Sequence, residues 1–160
     1  MQSTNIIAYR RNGYFGVPII GFKSSLAIKF DTGSANTVIS VEKISGNLAD
    51  EQLQKIKEHI TNRGIHPREY KSASGHLFNA YPAHMKNITI GNYLFDKFYY
   101  YIVIDRLFDG RQLALLGDDF IDCCGFSKEP HGDIVIDKFD FSAYHSNESA
   151  ISTDEVMSIV

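Results

Sequence analysis

The sequence predicts a mainly β domain whose strands close into a barrel, with one inserted amphipathic helix and a short helix near its C-terminal end. Short apolar segments of alternating character recur along the 160 residues, and turn signals such as Asn12-Gly13 and Asp109-Gly110 separate them. Only one longer stretch carries its apolar residues at helical spacing. Short strands at regular spacing are typical of closed barrels, which leave no exposed strand edge.

The first third of the chain is predicted to form strands. Apolar and β-branched residues fill four segments between turn residues, at 6–9, 15–22, 26–30 and 37–41. The pattern changes at Asn47, a good N-cap, after which two acidic residues occupy the expected first turn of a helix. Leu53, Ile56 and Ile60 then recur at helical spacing, so this segment predicts an amphipathic helix on the outside of the β domain.

The rest of the chain returns to the β pattern. A hairpin is predicted at 70–83, and its polar tip is Ser74-Gly75-His76. Strands at 86–90 and 95–105 follow, and the aromatic second one has apolar residues on both faces, which favours burial of both. Further strands are expected at 113–117 and 133–137, with a short helix at 118–124 between them.

Residues 1–144 are expected to form one domain, because neither a repeat nor a linker divides them. Residues 145–160 are rich in Ser, Asn, Glu and Asp, and we interpret them as a frayed C-terminal tail. Cys123 and Cys124 are adjacent and match no zinc spacing, so they predict small, partly buried free thiols.

Composition excludes several classes of partner. A formal net charge of −3 gives no basic surface for nucleic acid and no polybasic patch for a membrane. No apolar run approaches the roughly 20 residues that a membrane-spanning helix needs, and the N-terminal residues do not resemble a leader segment. We therefore expect a cytoplasmic protein that binds neither nucleic acid nor a membrane.

The segment Phe30-Asp31-Thr32-Gly33-Ser34 carries the clearest chemical signal. It places a carboxylate directly after an apolar strand, with a glycine that permits a tight turn and two hydroxyl groups beside it. An ordinary acidic turn is the alternative interpretation of this segment taken alone. Apolar residues flank it, and the segment 114–121, with Leu115-Leu116-Gly117 followed by Asp118, lies farther along.

With these flanks the chain resembles the retropepsin-like aspartic peptidases, the single-lobe kind found in retroviruses and bacteria. The resemblance covers about residues 14–140 and implies an acid-protease-like barrel. It implies that Asp31 is catalytic, that Thr32 bonds across a two-fold axis, that Gly33 admits the substrate backbone and that Ser34 bonds the carboxylate. Two-lobed pepsins have a similar turn.

The resemblance also implies a substrate-binding set. The hairpin 70–83 would be the flap, with Ser74, Gly75 and His76 at its tip, and Leu116 and Gly117 would lie in the segment that supports the catalytic turn. Viral enzymes often carry two acidic residues after this turn that bind the substrate backbone. Ala35 and Asn36 occupy those places here, so Asn36 is the substrate-binding candidate.

The chemistry implied is hydrolysis of a peptide by water that a pair of carboxylates activates, without cofactor or metal. The chain contains one Asp-Thr-Gly, so the second carboxylate is expected from a second copy in a homodimer. The alternative is a catalytically silent module of the same fold that binds peptides or dimerises.

Three further groups are interpreted as structural. Asp118, Asp119 and Asp122 have helical spacing and are read as a solvated helix start in preference to a cation site. The aromatic residues 98–101 are read as core in preference to a base-stacking surface. The six histidines are scattered and form no zinc-peptidase motif.

Overall fold

The computed structural model describes residues 6–11, 14–19, 26–31, 33–72, 74–90, 93–128 and 134–160. Within them lie eleven strands: β1 Ile6–Arg11, β2 Tyr14–Ile19, β3 Leu26–Phe30, β4 Val38–Ser40, β5 Arg68–Lys71, β6 Leu77–Ile90, β7 Tyr93–Val103, β8 Ala114–Leu116, β9 Cys124–Lys128, β10 Ile134–Phe139 and β11 Ile151–Ser152. Four helices accompany them: α1 Val41–Ser45, α2 Asp50–Asn62, α3 Asp118–Ile121 and α4 Thr153–Met157. The predicted mainly β class is confirmed, and the closure of the strands into a barrel stays a prediction.

The chain folds into two compact units, and strands β6 and β7 each have residues in both. The first unit comprises Met1–Thr37, Lys86–Phe98 and Ala114–Ser146. Its strands run in the order β8-β3-β2-β1-β10-β9, with β3 and β8 parallel and the other pairs antiparallel. The parallel pair aligns Phe30 with Leu116, which brings the end of β3 beside the end of β8.

The core of the first unit is aromatic. Phe95, Phe120 and Phe139 contact one another, with ring centroids 4.8 to 5.6 Å apart. Phe98 is fully buried and its ring lies edge-on to Phe95. Such pairs stabilise a core by about 0.5–1.5 kcal/mol beyond their area burial. Phe98 therefore belongs to the core, as predicted.

The second unit comprises Val38–Met85, Tyr99–Leu113 and Asn147–Val160. Its strands run in the order β11-β6-β7-β4, and β5 also pairs with β6. The predicted hairpin is present, because Lys71 pairs with Leu77 across a tip at residues 72–76. One long strand, β6, replaces the separate strands expected at the end of the hairpin and at 86–90.

Helix α2 buries Leu53, Ile56 and Ile60, which confirms the amphipathic prediction. The N-cap is Ala49, however, and the prediction of Asn47 was wrong. The loop before the helix is held by the buried Leu48, whose N–H donates to Glu42 at 2.8 Å. The Ala49 N–H donates to the Gln52 side chain at 2.8 Å. The N-terminus is therefore capped by a side chain from the first turn of the helix itself.

The expectation of a frayed segment at 145–160 was wrong. Strand β11 pairs in parallel with β6, and α4 follows it directly. Ile151 and Val156 are buried to 1% and 0% exposure, which supplies the apolar burial that keeps so polar a segment ordered.

The predicted helix at 118–124 ends at Ile121, and Cys124 begins the unpredicted strand β9. Both thiols are free, as predicted: Cys123 is buried and Cys124 is half-buried. Burial raises the pKa of both, that of Cys124 to about 12, so neither is a thiolate at neutral pH. None of the described helices is both long and apolar enough to cross a bilayer.

Candidate active site

The Asp31 turn begins where β3 ends and is fastened to the neighbouring strand. The Asp31 N–H donates to the Leu116 carbonyl at 3.0 Å, which continues the β3–β8 pairing by one bond. The Asp31 residue is half-buried. The strand pairing therefore fixes the main chain from which the carboxylate projects.

The turn itself orients the carboxylate. The Gly33 N–H donates to Asp31 Oδ1 at 2.9 Å, and the Ser34 N–H donates to the Asp31 carbonyl at 3.2 Å. A Cβ atom on Gly33 would lie 3.2 Å from Asp31 Oδ1, closer than such contacts normally come. A glycine here lets the amide approach the carboxylate without crowding it. Thr32, the predicted axial residue, lies outside the described residues.

Ser34 does not make its predicted bond. Its hydroxyl donates to the Asn36 carbonyl at 2.7 Å, so its one proton is directed away from the Asp31 carboxylate. This corrects the role expected for Ser34: within the chain it braces the turn.

Gly117 is required by close approach of two main-chain segments. A Cβ atom there would lie 2.3 Å from the main-chain carbon and oxygen of Asn36 and 2.8 Å from the Ser34 carbonyl. The Asp118 N–H donates to that Ser34 carbonyl at 2.7 Å. Leu116, beside it, is fully buried, so its side chain supports the turn and does not face solvent.

Thr37 and Asp119 form a latch that was not predicted. The Thr37 N–H donates to Asp119 Oδ2 at 3.0 Å and the Thr37 hydroxyl donates to Oδ1 at 2.7 Å. The Gly117 N–H donates in turn to the Thr37 hydroxyl oxygen at 3.2 Å. Thr37 has no exposed surface. Asp119 lies in the first turn of a helix, as predicted, but its carboxylate is half-buried and bonded to Thr37, so the prediction that it is solvated was wrong.

Asp119 lies in an environment that opposes its charge. Burial raises the pKa of its carboxyl, while hydrogen bonds from Thr37, Phe120 and Asn36 act in the opposite direction. The Asn36 side chain, predicted to bind substrate, is thus engaged with Asp119. The only sequence signal for the latch is a carboxylate two residues after Gly117, which also fits an ordinary helix start.

The other predicted residues form a separate group in the second unit. Ser74, Gly75 and His76 are exposed at the tip of the β5–β6 hairpin. The Ser72 N–H donates to the His76 carbonyl at 2.8 Å, and Gly75 has a φ of +89°, which favours glycine. The His76 ring stacks on Phe108 with centroids 4.1 Å apart, and Phe108 is 82% exposed.

The structure thus collects Asp31, Gly33, Ser34, Asn36, Leu116 and Gly117 around one turn. Within the described residues, no cluster of three or more His, Cys, Asp or Glu side chains could hold a metal ion. The arrangement offers an oriented carboxylate on a rigid turn, a group suited to acid–base chemistry.

Comparison with solved structures identifies the fold. The chain has the fold of a structure described as a retropepsin-like aspartic protease from Rickettsia conorii, with a TM-score of 0.52 and 19% sequence identity. The match covers 84% of this chain and 100% of that one. The sequence matches no protein-family model and no curated protein. The acid-protease-like fold is confirmed, and the activity and the roles of the site residues stay predictions.

Proposed function

We propose that the protein is an aspartic endopeptidase in which Asp31 supplies a catalytic carboxylate. The observation that carries the proposal is the Asp31 turn, held by the Gly33 amide and by Leu116, in a chain with the retropepsin-like fold. The arrangement keeps the carboxylate in one orientation before a substrate arrives, which lowers the reorganisation that catalysis requires.

The reaction needs two carboxylates that share one proton. The ionised carboxylate takes a proton from a bound water, and that water attacks the peptide carbonyl carbon. The protonated carboxylate donates to the carbonyl oxygen as negative charge develops there. Two carboxylates about 3 Å apart cannot both ionise readily, so the pair retains this proton at acidic to mildly acidic pH.

The second carboxylate would come from Asp31 of another copy. One Asp-Thr-Gly occurs in the 160 residues, and a two-fold axis brings equivalent side chains together without a second site in the chain. In this homodimer the β5–β6 hairpin would serve as the flap, with Ser74, Gly75 and His76 over an extended peptide. Because Gly33 and Gly117 have no side chains, the peptide backbone could approach the turn closely.

The test is cleavage of a diverse peptide library, read by mass spectrometry at several pH values and protein concentrations. Wild type and Asp31→Asn are compared with Asp96→Asn, which removes the same charge at an exposed position on β7. We expect wild type and Asp96→Asn to cleave peptides and a statyl-type transition-state mimic to inhibit that cleavage. Asp31→Asn should not cleave any peptide. Equal cleavage by Asp31→Asn would remove Asp31 from the mechanism.

A second candidate is a catalytically silent peptide-binding module of the same fold. It is favoured by the Ser34 hydroxyl and the Asn36 side chain, both of which are engaged within the chain. Such a module would retain peptides from the library without cutting them, and its binding would be unchanged in Asp31→Asn.

A further inference from the structure

Two strands from distant parts of the chain pair with successive stretches of β6. Strand β5 pairs with Leu77–Ala80, and β11 pairs with Ala83 and His84. Strand β7 neighbours β6 on the side opposite β11. Pro82, which has no N–H to pair, lies between the two stretches. Strand β11 thus pairs with β6 just beyond the stretch where the hairpin pairing ends.

The Thr153 hydroxyl connects α4 to two strands, β6 and β7. It donates to the His84 carbonyl of β6 at 2.9 Å, so the 2.6 Å contact with Tyr100 uses the Tyr100 O–H as donor and Thr153 Oγ1 as acceptor. Tyr100 is 2% exposed and Thr153 is 6% exposed. Burial raises the pKa of the Tyr100 phenol, which therefore stays protonated and able to donate.

Helix α4 in turn is fastened to α2. Glu155 accepts from His59 Nε2 at 2.6 Å and from Arg63 Nε at 2.9 Å. The hydrogen bond with His59 and the positive charge of Arg63 lower the pKa of Glu155 below its ordinary value. Val156, within the same segment, is fully buried. The segment 147–160 therefore links the base of the hairpin to α2, a helix of thirteen residues.

We propose that the segment 147–160 is a brace for the β5–β6 hairpin and that Thr153 is its positioning residue. The brace limits opening of the hairpin at its base, where β6 leaves β5, and so sets how readily the tip at 72–76 closes over a peptide. Its consequence for catalysis rests on the proposed function, in which this hairpin is the flap. Its consequence for the motion of the hairpin does not.

The first experiment measures amide hydrogen exchange by mass spectrometry in the full chain. Thr153→Val keeps the side-chain volume and removes the hydroxyl, whereas Thr153→Ser keeps the hydroxyl. We expect Thr153→Val to speed exchange in peptides covering 68–84 about 5- to 10-fold, since the Tyr100 donor and the His84 acceptor both lose a buried partner. Residues 114–121 should be unchanged, and Thr153→Ser should match wild type.

Unchanged exchange at 68–84, or an equal rise in both regions, would overturn the proposal. If Thr153→Val does not fold, Tyr100→Phe decides the matter. It removes one donor and leaves the Thr153–His84 bond, so a smaller rise confined to 68–84 is expected. In Tyr100→Phe, exchange at 68–84 that is unchanged, or that rises as much as exchange at 114–121, would overturn the brace.

The second experiment uses a peptide that the wild type cleaves. Thr153→Val should raise KM about 5-fold and leave kcat within about twofold, because the loosened hairpin weakens closure more than chemistry. Thr153→Ser should restore KM. Faster exchange at 68–84 with an unchanged KM would overturn the catalytic part of the proposal. Absence of cleavage by the wild type would refute the proposed peptidase while the exchange result still decides the brace.

Discussion

Thr37 and Asp119 lie 82 positions apart in the sequence, and they share two hydrogen bonds of 3.0 and 2.7 Å. Asp119 lies in the first turn of α3, and Thr37 follows the Asp31 turn. The latch therefore ties the segment after Gly117 to the end of the turn that carries the candidate catalytic carboxylate.

Loss of the Asp119 carboxylate should destabilise the protein strongly. In Asp119→Ala the buried N–H and hydroxyl of Thr37 lose their acceptors, so the free energy of unfolding should fall by about 3 kcal/mol. Urea denaturation measures this, with an unchanged m-value expected. Asp122→Asn is the control, because Asp122 is exposed and its loss should matter by no more than about 0.5 kcal/mol. Equal effects of the two changes would contradict the latch.

The same residue predicts a pH dependence of stability. Because the pKa of Asp119 is raised in the folded protein, the folded state binds this proton more tightly than the unfolded state. The stabilisation that this bound proton contributes is complete at a pH below the unfolded-state pKa of about 3.9. It is lost as the pH rises through the folded-state pKa. Relative to Asp119→Asn, the wild type should gain stability as pH falls from about 7 to about 4. Unfolding curves across this range test the sign, and a constant difference would contradict it.

Gly117→Ala should be among the most damaging small substitutions. Its Cβ would overlap main-chain atoms of Asn36 and Ser34, which cannot rotate away as a flexible side chain could. We expect a loss of about 3 kcal/mol or more in the free energy of unfolding. Gly125→Ala is the matched control, since its Cβ would meet Lys138 at an ordinary 3.5 Å and should change stability by about 1 kcal/mol or less. Comparable losses would refute the close approach at Gly117.

Mixing experiments should reveal whether two Asp31 side chains act together. At a protein concentration that saturates the dimer, an about ninefold excess of Asp31→Asn should pair with most wild-type chains and lower the cleavage rate about tenfold. The same excess of Asp96→Asn, which keeps its own Asp31, should not lower the rate. An unaffected rate with Asp31→Asn would mean that one chain provides the whole catalytic pair.

Local signals in the sequence were enough for much of the fold and for part of the site. Three local patterns predicted elements that the structure contains: the alternation and turn residues around β3, the helical spacing of Leu53, Ile56 and Ile60, and the glycine-containing tip at 74–76. Each depends on the geometry of neighbouring residues, so it can be recognised without knowledge of distant partners. The close neighbourhood of Asp31 and Gly33 is local in the same way.

Only the tertiary structure decided the rest. The sequence by itself determined a mainly β chain with a carboxylate on a turn after a strand. It did not reveal that the Asp119 carboxylate accepts two hydrogen bonds from the buried Thr37, that Ser34 bonds Asn36, or that a polar segment at 147–160 is ordered against β6. The physical reason is shared by all three. The role of a hydroxyl, a carboxylate or a few apolar side chains depends on which partner and how much burial the fold supplies, and neither is encoded in the residues beside them.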